Sequence, residues 1–219
     1  QTMCAIMDTG IAYCWGQARF GQTGSTDFVP HYNYGQPVRV TGISNVTDIS
    51  QDGYPYGAAH LASHYSRAPH VCAIASGRVY CWGGAEDGQS GDSAYDDPTY
   101  KTYTVPKEVK GLPGVPKRIA VGIGHSCALV ELSGDKHKEV YCWGANEAGQ
   151  LGANKDRSHL LYSRTPQQVH VGANGLPPSE DVVALAAGAN RGCAIMTNKR
   201  AYCWGLNTDG QIGDGTHEN

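Results

Sequence analysis

The sequence predicts an all-β fold assembled from repeated antiparallel units, the blades of a β-propeller, and three observations predict it. The phrase Tyr-Cys-Trp-Gly occurs at Tyr13-Cys14-Trp15-Gly16, Tyr80-Cys81-Trp82-Gly83, Tyr141-Cys142-Trp143-Gly144 and Tyr202-Cys203-Trp204-Gly205. Four residues beyond each copy lies Gly-Gln-x-Gly, at 21–24, 88–91, 149–152 and 210–213. Upstream of each sits a second cysteine, Cys4, Cys72, Cys127 or Cys193, in Cys-Ala-Ile or Cys-Ala-Leu. Long-period self-similarity marks a repeat architecture. High glycine content (29 residues) with short apolar runs points to turn-rich β structure.

The paired cysteines bracket hairpins. In Cys72-Ala73-Ile74-Ala75-Ser76-Gly77-Arg78-Val79-Tyr80-Cys81 the Ser-Gly pair is a two-residue turn between alternating strands. Counting outward from it, Ala75 faces Arg78 and Cys72 faces Cys81. Three-residue turns around Thr9 and Asn198 do the same for Cys4 with Cys14 and for Cys193 with Cys203. The third hairpin has a longer tip, Ser133 to Glu139, with Cys127 and Cys142 closing its base. Residues directly opposite on antiparallel strands are close enough to bond, so four disulfides within units are the expected pairing. The alternatives are eight buried free thiols, which leave the four symmetric pairs unexplained, and zinc sites, for which the chain lacks any Cys-x-x-Cys pair.

Two more strand signals fall between hairpins. One is Pro-x-x-Val, at Pro37 to Val40, Pro106 to Val109 and Pro166 to Val169; the other is an apolar run ending in glycine, at Ile119 to Gly122, Leu185 to Gly188 and, degenerate, Ile49 to Gly53. Each unit then supplies about four short strands, which is a propeller blade. The expected organisation is a single partial propeller over 1–219 with about three and a half blades. Its hairpin cores are 4–24, 72–91, 127–152 and 193–213; its linking segments are 25–71, 92–126 and 153–192.

Composition removes some function classes. A net charge of −3 gives no basic footprint for nucleic acid or for a membrane surface. No run approaches the length of apolar residues needed to span a bilayer, and the residues from Gln1 onward lack the charged and apolar regions of a signal peptide. The reading is of a soluble chain.

At its repeated phrases the chain resembles the regulator of chromosome condensation repeat family, whose members form seven-bladed β-propellers. Gly124-His125-Ser126-Cys127-Ala128-Leu129 is similar to that family's Gly-x-x-His-Ser-x-Ala-Leu strand, whereas Arg191-Gly192 and Pro69-His70-Val71 replace it before Cys193 and Cys72. The resemblance implies the fold and leaves function open, because the family's activities diverge. The paired cysteines look like those of secreted bacterial relatives and suit an oxidising compartment: extracellular, cell surface or periplasm. About seven blades cannot close from this much chain. The reading is therefore a fragment of a longer ring, or a ring completed by another protein or further copies of the chain.

Most candidate site residues have a structural reading. The four tryptophans read as blade packing and the Gly-Gln-x-Gly segments as turns whose glutamines bond nearby backbone, since they lack the Lys-Ser/Thr of a phosphate loop. His60 and His64 have helical spacing suited to a metal, but with His70 they fall in the irregular insertion Tyr54 to His70 and read as solvated loop. Asp87, Asp92, Asp209 and Asp214 flank the repeat turns without a calcium spacing. Asn45-Val46-Thr47 is a glycosylation sequon. No Ser, Cys or carboxylate constellation reads as catalytic, so no enzyme, cofactor or metal is expected. Tyrosine is in excess in the variable segments: Tyr32, Tyr34, Tyr54, Tyr56, Tyr65, Tyr95, Tyr100 and Tyr103, with Tyr162 in the third. Large contact area with a polar handle makes it a recognition residue, and insertions into repeats often form the binding face. The expected function is an extracytoplasmic protein-interaction or scaffolding propeller, a subunit of a larger assembly. A carbohydrate-binding module and a secreted enzyme inhibitor are the alternatives.

Overall fold

A computed structural model describes residues 1–27, 33–52, 68–93, 102–134, 137–153, 160–170, 172 and 175–218. The described residues form strands β1 (Thr2–Ile6), β2 (Ala12–Gln17), β3 (Asn33–Arg39), β4 (Val46–Gln51), β5 (His70–Ala75), β6 (Arg78–Gly84) and β7 (Thr102–Glu108). They continue with β8 (Gly114–Val121), β9 (His125–Leu132), β10 (Lys138–Ala145), β11 (Tyr162–Gln168), β12 (Val182–Gly188), β13 (Arg191–Met196) and β14 (Ala201–Gly205). They make four antiparallel meanders, β1-β2-β3, β4-β5-β6-β7, β8-β9-β10-β11 and β12-β13-β14, and no helix occurs among the described residues.

Turn chemistry fixes the hairpin registers. Ser76 and Gly77 both have positive φ, 48° and 74°, which gives the two-residue turn whose twist matches the strands it joins. Cys72 accordingly faces Cys81. The three-residue turns close on Met7 N–H to Ile11 O and Met196 N–H to Arg200 O, which places Cys4 opposite Cys14 and Cys193 opposite Cys203. The third hairpin departs from the sequence expectation. Pairing continues through Val130 with Glu139 and Glu131 with Lys138, and Leu132 N–H reaches His137 O, so Lys138 and Glu139 belong to the ladder and not to the tip. Polar residues there sustain a ladder because its backbone bonds do not depend on side-chain character.

The Pro-x-x-Val segments form the outer strands β3, β7 and β11. In all three the register slips between the cysteine and the glycine of the adjoining Cys-Trp-Gly. Gly16, Gly83 and Gly144 hold φ of 94°, 96° and 100° at that bulge, a conformation that suits glycine alone. Proline sits on the outermost strand, where a missing N–H disrupts no interior ladder. Val40, Val109 and Val169 at the ends of these segments are buried.

The core lies between sheets. One layer joins Ala12, Cys14 and Val40 to Val46, Val71, Ala73 and Trp82; a second joins Cys72, Ile74, Val79 and Cys81 to Val121, Val130 and Trp143; a third joins Cys127, Leu129, Val140 and Cys142 to Val182, Ala194 and Met196. Each of the two middle sheets is thus apolar on both faces, as a blade stacked between neighbours requires. The innermost strands are also linked: Ile119 N–H donates to Asp48 Oδ2 at 3.0 Å and Val121 N–H to Ser50 Oγ at 3.1 Å.

His70 requires a correction. Read from sequence as part of a solvated insertion, it is the first residue of β5 and is 1% exposed. Its partner explains the burial: Nε2 lies 2.7 Å from Ser126 Oγ on the next blade. His60 and His64 lie outside the described residues.

Candidate interaction surface

Successive blades are joined by a recurring contact. In each Gly-Gln-x-Gly turn the glutamine Oε1 accepts the backbone N–H two residues before it. The donors are Phe20 at 2.7 Å, Asp87 at 2.8 Å, Ala148 at 2.9 Å and Asp209 at 2.9 Å. This bond rigidifies the turn and aims the glutamine carbonyl at the following blade. There the next tryptophan donates to it: Trp82 Nε1–H to Gln22 O at 2.7 Å, Trp143 to Gln89 O at 3.0 Å and Trp204 to Gln150 O at 3.0 Å. The last glycine of the turn lies under the same indole. A Cβ on Gly24 would sit 2.8 Å from Trp82 Nε1, one on Gly91 3.1 Å from Trp143 Nε1, and one on Gly152 3.0 Å from Trp204 Cδ1. Trp82 and Trp143 are fully buried, which leaves neither indole face for a ligand.

The four cysteine pairs stand at disulfide distance, with S–S separations of 2.10, 2.11, 2.13 and 2.10 Å for Cys4–Cys14, Cys72–Cys81, Cys127–Cys142 and Cys193–Cys203. In every case the Cα atoms are 4.1 Å apart. Cys72 Sγ also lies 3.2 Å from Ser126 Oγ, inside the boundary that holds His70. Burial, followed by the charge of His125, lowers the His70 pKa from its ordinary 6.5 to about 3. This buried polar cluster went unseen in the sequence because its members come from two different repeats. The tryptophan-to-glutamine bond was likewise missed, although its near-constant separations of 60, 54 and 54 residues were there to be found.

The blades have two unlike ends. Hairpin tips occupy one end, together with Asn45, which is exposed in a left-handed turn (φ 52°) whose carbonyl accepts Ser76 N–H. At the opposite end the chain leaves β2, β4, β6 and β10 and returns in β3, β5, β7 and β11. Of the predicted contact tyrosines, Tyr32, Tyr54, Tyr56, Tyr65, Tyr95 and Tyr100 lie outside the described residues. Tyr34 and Tyr103, read from sequence as loop residues, are in β3 and β7 and half-buried, since aromatic side chains fit a pleated edge. Their hydroxyls donate to Asp27 O at 2.7 Å and Asp92 Oδ2 at 2.8 Å.

The linker end repeats one motif of aromatic beside cation: Arg19 over Phe20 at 5.7 Å, Lys107 over Tyr103 at 5.5 Å and Arg164 over Tyr162 at 5.7 Å. Tyr162 and the adjoining Leu161 are 48% and 58% exposed. The aspartates flanking the turns serve local geometry. Asp209 Oδ2 accepts Gln211 Nε2–H at 2.9 Å, and Asp214 accepts Thr216 N–H and Oγ–H at 2.9 and 2.8 Å, which holds its carboxyl below the usual range. Among the described residues no three His, Cys, Asp or Glu side chains gather as a metal site.

Repeated disulfide-bracketed meanders, stacked through alternating indole and turn, define a β-propeller repeat protein. Two family models, both described as regulator of chromosome condensation (RCC1) repeat, match the chain, one at 117–150 and 182–211 and the other at 76–129 and 139–195. The chain therefore belongs to the RCC1 repeat family. Among curated relatives it is 27% identical over 212 residues to the human E3 ubiquitin-protein ligase HERC2, covering 96% of this chain and 4% of that protein. To the ultraviolet-B receptor UVR8 of Arabidopsis thaliana it is 25% identical over 213 residues, covering 96% and 40%. Human WBSCR16 matches the fold with TM-score 0.73 and 23% identity, over 100% of this chain and 48% of that one. Yeast RCC1 (Prp20), solved with Kap60, matches with TM-score 0.67 and 21% identity, over 94% and 40%. The chain thus spans less than half the length of each of these proteins.

Proposed function

We propose that this chain is a protein-interaction module outside the cytoplasm, contributing blades to a larger assembly and contacting its partner through the linker end. The observation that carries the reading is the exposed Tyr162 beside Arg164, a tyrosine–arginine pair of the kind that dominates binding hot spots, with the exposed Leu161 adjoining it. Four cysteine pairs at bonding distance, with no free cysteine, suit an oxidising compartment. Protein partners are in keeping with the fold. The yeast RCC1 structure holds Kap60, and a study of Prp20p reports binding to Gsp1p and histones. Further blades, in another protein or further copies, complete the ring in this reading.

A photoreactive phenylalanine analogue at position 162, and separately at Lys199 on a hairpin tip, tests it in the native source. A discrete protein adduct from position 162 with none from 199 is expected. Equal adduct patterns from both positions would remove the linker end as the contact surface. Binding to a glycan array that Tyr162→Ala abolishes, with no protein adduct, would assign the surface to carbohydrate instead.

A further inference from the structure

The sequon Asn45-Val46-Thr47 takes no part in the contacts that recur between blades, and its residues face in different directions. Val46 opens β4, is buried, and joins the first core layer with Val71 and Ala73. The backbone around it is gripped by the tips of the first two hairpins. Val46 N–H donates to Gly10 O at 2.9 Å, Ser76 N–H to Asn45 O at 3.2 Å and Ser76 Oγ–H to Ser44 O at 3.2 Å. Thr47 is the extra residue of a bulge: Val46 pairs with Ala75 and Asp48 with Ile74, which leaves nothing opposite Thr47. Asn45 and Thr47 are therefore both exposed, and among the described residues neither side chain makes a hydrogen bond.

Equivalent positions in the next two sheets are filled differently. Val115, Pro116 and Lys117 lead into the matching bulge of β8, and Asp181, Val182 and Val183 into that of β12. Asp181 shows what a polar side chain can do at the first of these positions. Its Oδ1 accepts Lys138 N–H at 3.1 Å and lies 2.7 Å from His137 Nδ1, tying down the hairpin of the preceding sheet. Asn45 holds the preceding hairpin through backbone alone and leaves its amide in solvent. A left-handed φ of 52° accounts for asparagine there, but not for an exposed hydroxyl on the bulge two residues further on.

We infer that Asn45 is an N-glycosylation site and that the hairpin-tip end of the blades carries its oligosaccharide. Asn-x-Thr with a residue other than proline in the middle is the acceptor sequence for this modification, which belongs to surface positions of secreted proteins. In the transfer Asn45 Nδ2 bonds to C1 of the first sugar of a polyprenyl-diphosphate-linked oligosaccharide. The C1–O bond to the diphosphate breaks, the polyprenyl diphosphate leaves with the electron pair, and the proton lost from the amide passes to a base of the transferase. The fold accommodates the product, because the modified amide gives up no bond and the backbone presenting it stays held by Gly10 and Ser76. A bulky, hydrated chain there shields the tips of the first two hairpins and leaves the linker end to a protein partner. The inference rests on the reading that the chain works outside the cytoplasm, where this transfer takes place, and adds a covalent ligand at the end that the partner does not contact.

Peptide mapping of the protein from its native source, with and without peptide N-glycosidase, tests it. The peptide that contains Asn45 is expected to carry an oligosaccharide before treatment and aspartate at position 45 after it. An unmodified Asn45 in native protein whose eight cysteines are all paired would overturn the inference and leave the extracytoplasmic reading standing. An unmodified Asn45 together with free thiols would overturn both. Secretion of variants from a eukaryotic host checks the role of the hydroxyl: Thr47→Ala loses the glycan and Thr47→Ser keeps it, each with the circular dichroism of the wild-type chain. Neither change touches the bonds that hold Asn45. A glycan that persists on Thr47→Ala would take the modification away from this sequon and overturn the inference.

Discussion

Replacing Gly91 with alanine, beside the same change at Gly77, isolates the worth of the contact between blades. Both glycines have positive φ, 65° and 74°, so each alanine suffers the left-handed penalty of about 1–2 kcal/mol. Both also gain the same modest stabilisation from a less flexible unfolded chain, which cancels in the comparison. The sites differ in what the new methyl meets. At Gly77 there is nothing within 4 Å. At Gly91 the methyl would stand 2.8 and 2.9 Å from the two Val109 methyls and 3.1 Å from Trp143 Nε1. Trp143 is fully buried and tied to Gln89 O, so it cannot withdraw without opening the layer that also holds Cys72, Ile74 and Val130. Overpacking of a closed core costs about 1–3 kcal/mol. Gly91→Ala should therefore lie about 1–3 kcal/mol below Gly77→Ala. For a domain of this size that corresponds to roughly 2–12 °C in melting temperature. Thermal unfolding followed by tryptophan fluorescence, with the disulfides intact, measures the gap. If the two variants melt together, the turn glycine is not there to admit the neighbouring indole, and the account of the blade boundary fails.

Alkylation before and after reduction, read by intact mass, should find no reactive thiol in the native protein and eight after reduction; eight native adducts would refute the pairing. Acid should destabilise the chain through His70. Its folded pKa of about 3 lies below its ordinary 6.5, so the unfolded chain takes up a proton that the folded one refuses. The contribution is complete above pH 6.5 and declines by about 1.4 kcal/mol per pH unit down to about pH 3. Urea unfolding of wild type and His70→Asn from pH 7 to pH 4 should give a shallower slope for the variant, and equal slopes would place the acid sensitivity elsewhere. By contrast, Arg78→Ala, which removes a 2.9 Å pair with Glu108 from a side chain 62% exposed, should change stability by less than about 1 kcal/mol in the same assay.

Local sequence spelled out the hairpins. A Ser-Gly turn, or a three-residue turn centred on Thr9 or Asn198, leaves a single register, and the cysteines opposite one another follow from it. Pro-x-x-Val marked the outer strands because proline tolerates an edge and the valine completes a core layer. The contacts between repeats were harder to read. His70 looked like loop because Pro69 precedes it and a polar insertion leads up to it, and its partner Ser126 is 56 residues away in another blade. Tyr34 and Tyr103 looked like surface side chains because strand and loop share tyrosine as an acceptable residue. The third hairpin looked longer-tipped because its ladder runs on through Glu131 and Lys138, polar residues that alternate with nothing apolar on one flank.

The repeated parts and the varied parts of each unit answer to different constraints. Tyr-Cys-Trp-Gly and Gly-Gln-x-Gly recur because indole, glutamine carbonyl and bare glycine must all coincide at a boundary, and losing any one leaves a buried carbonyl unpaired or an indole displaced. The residue opposite each tryptophan is freer: Met3, Val71, Ser126 and Gly192 occupy equivalent positions. Each choice sets what its boundary holds besides the indole. Valine gives an apolar layer, and serine admits the bond to His70. Glycine lets the Trp204 ring lie against the backbone, where a Cβ on Gly192 would stand only 2.5 Å from it. Boundaries built from one recurring contact but different fillings need not be equally strong, and in a stack whose blades touch only their neighbours the weakest boundary opens first. Trp204, only half-buried beside a small cavity lined by Val169, Leu176 and Tyr202, places that weakness between the third and fourth sheets. Amide exchange should accordingly be faster in β13 and β14 than in β5 and β6, and uniform protection across the four hairpins would show that the fillings carry no such difference.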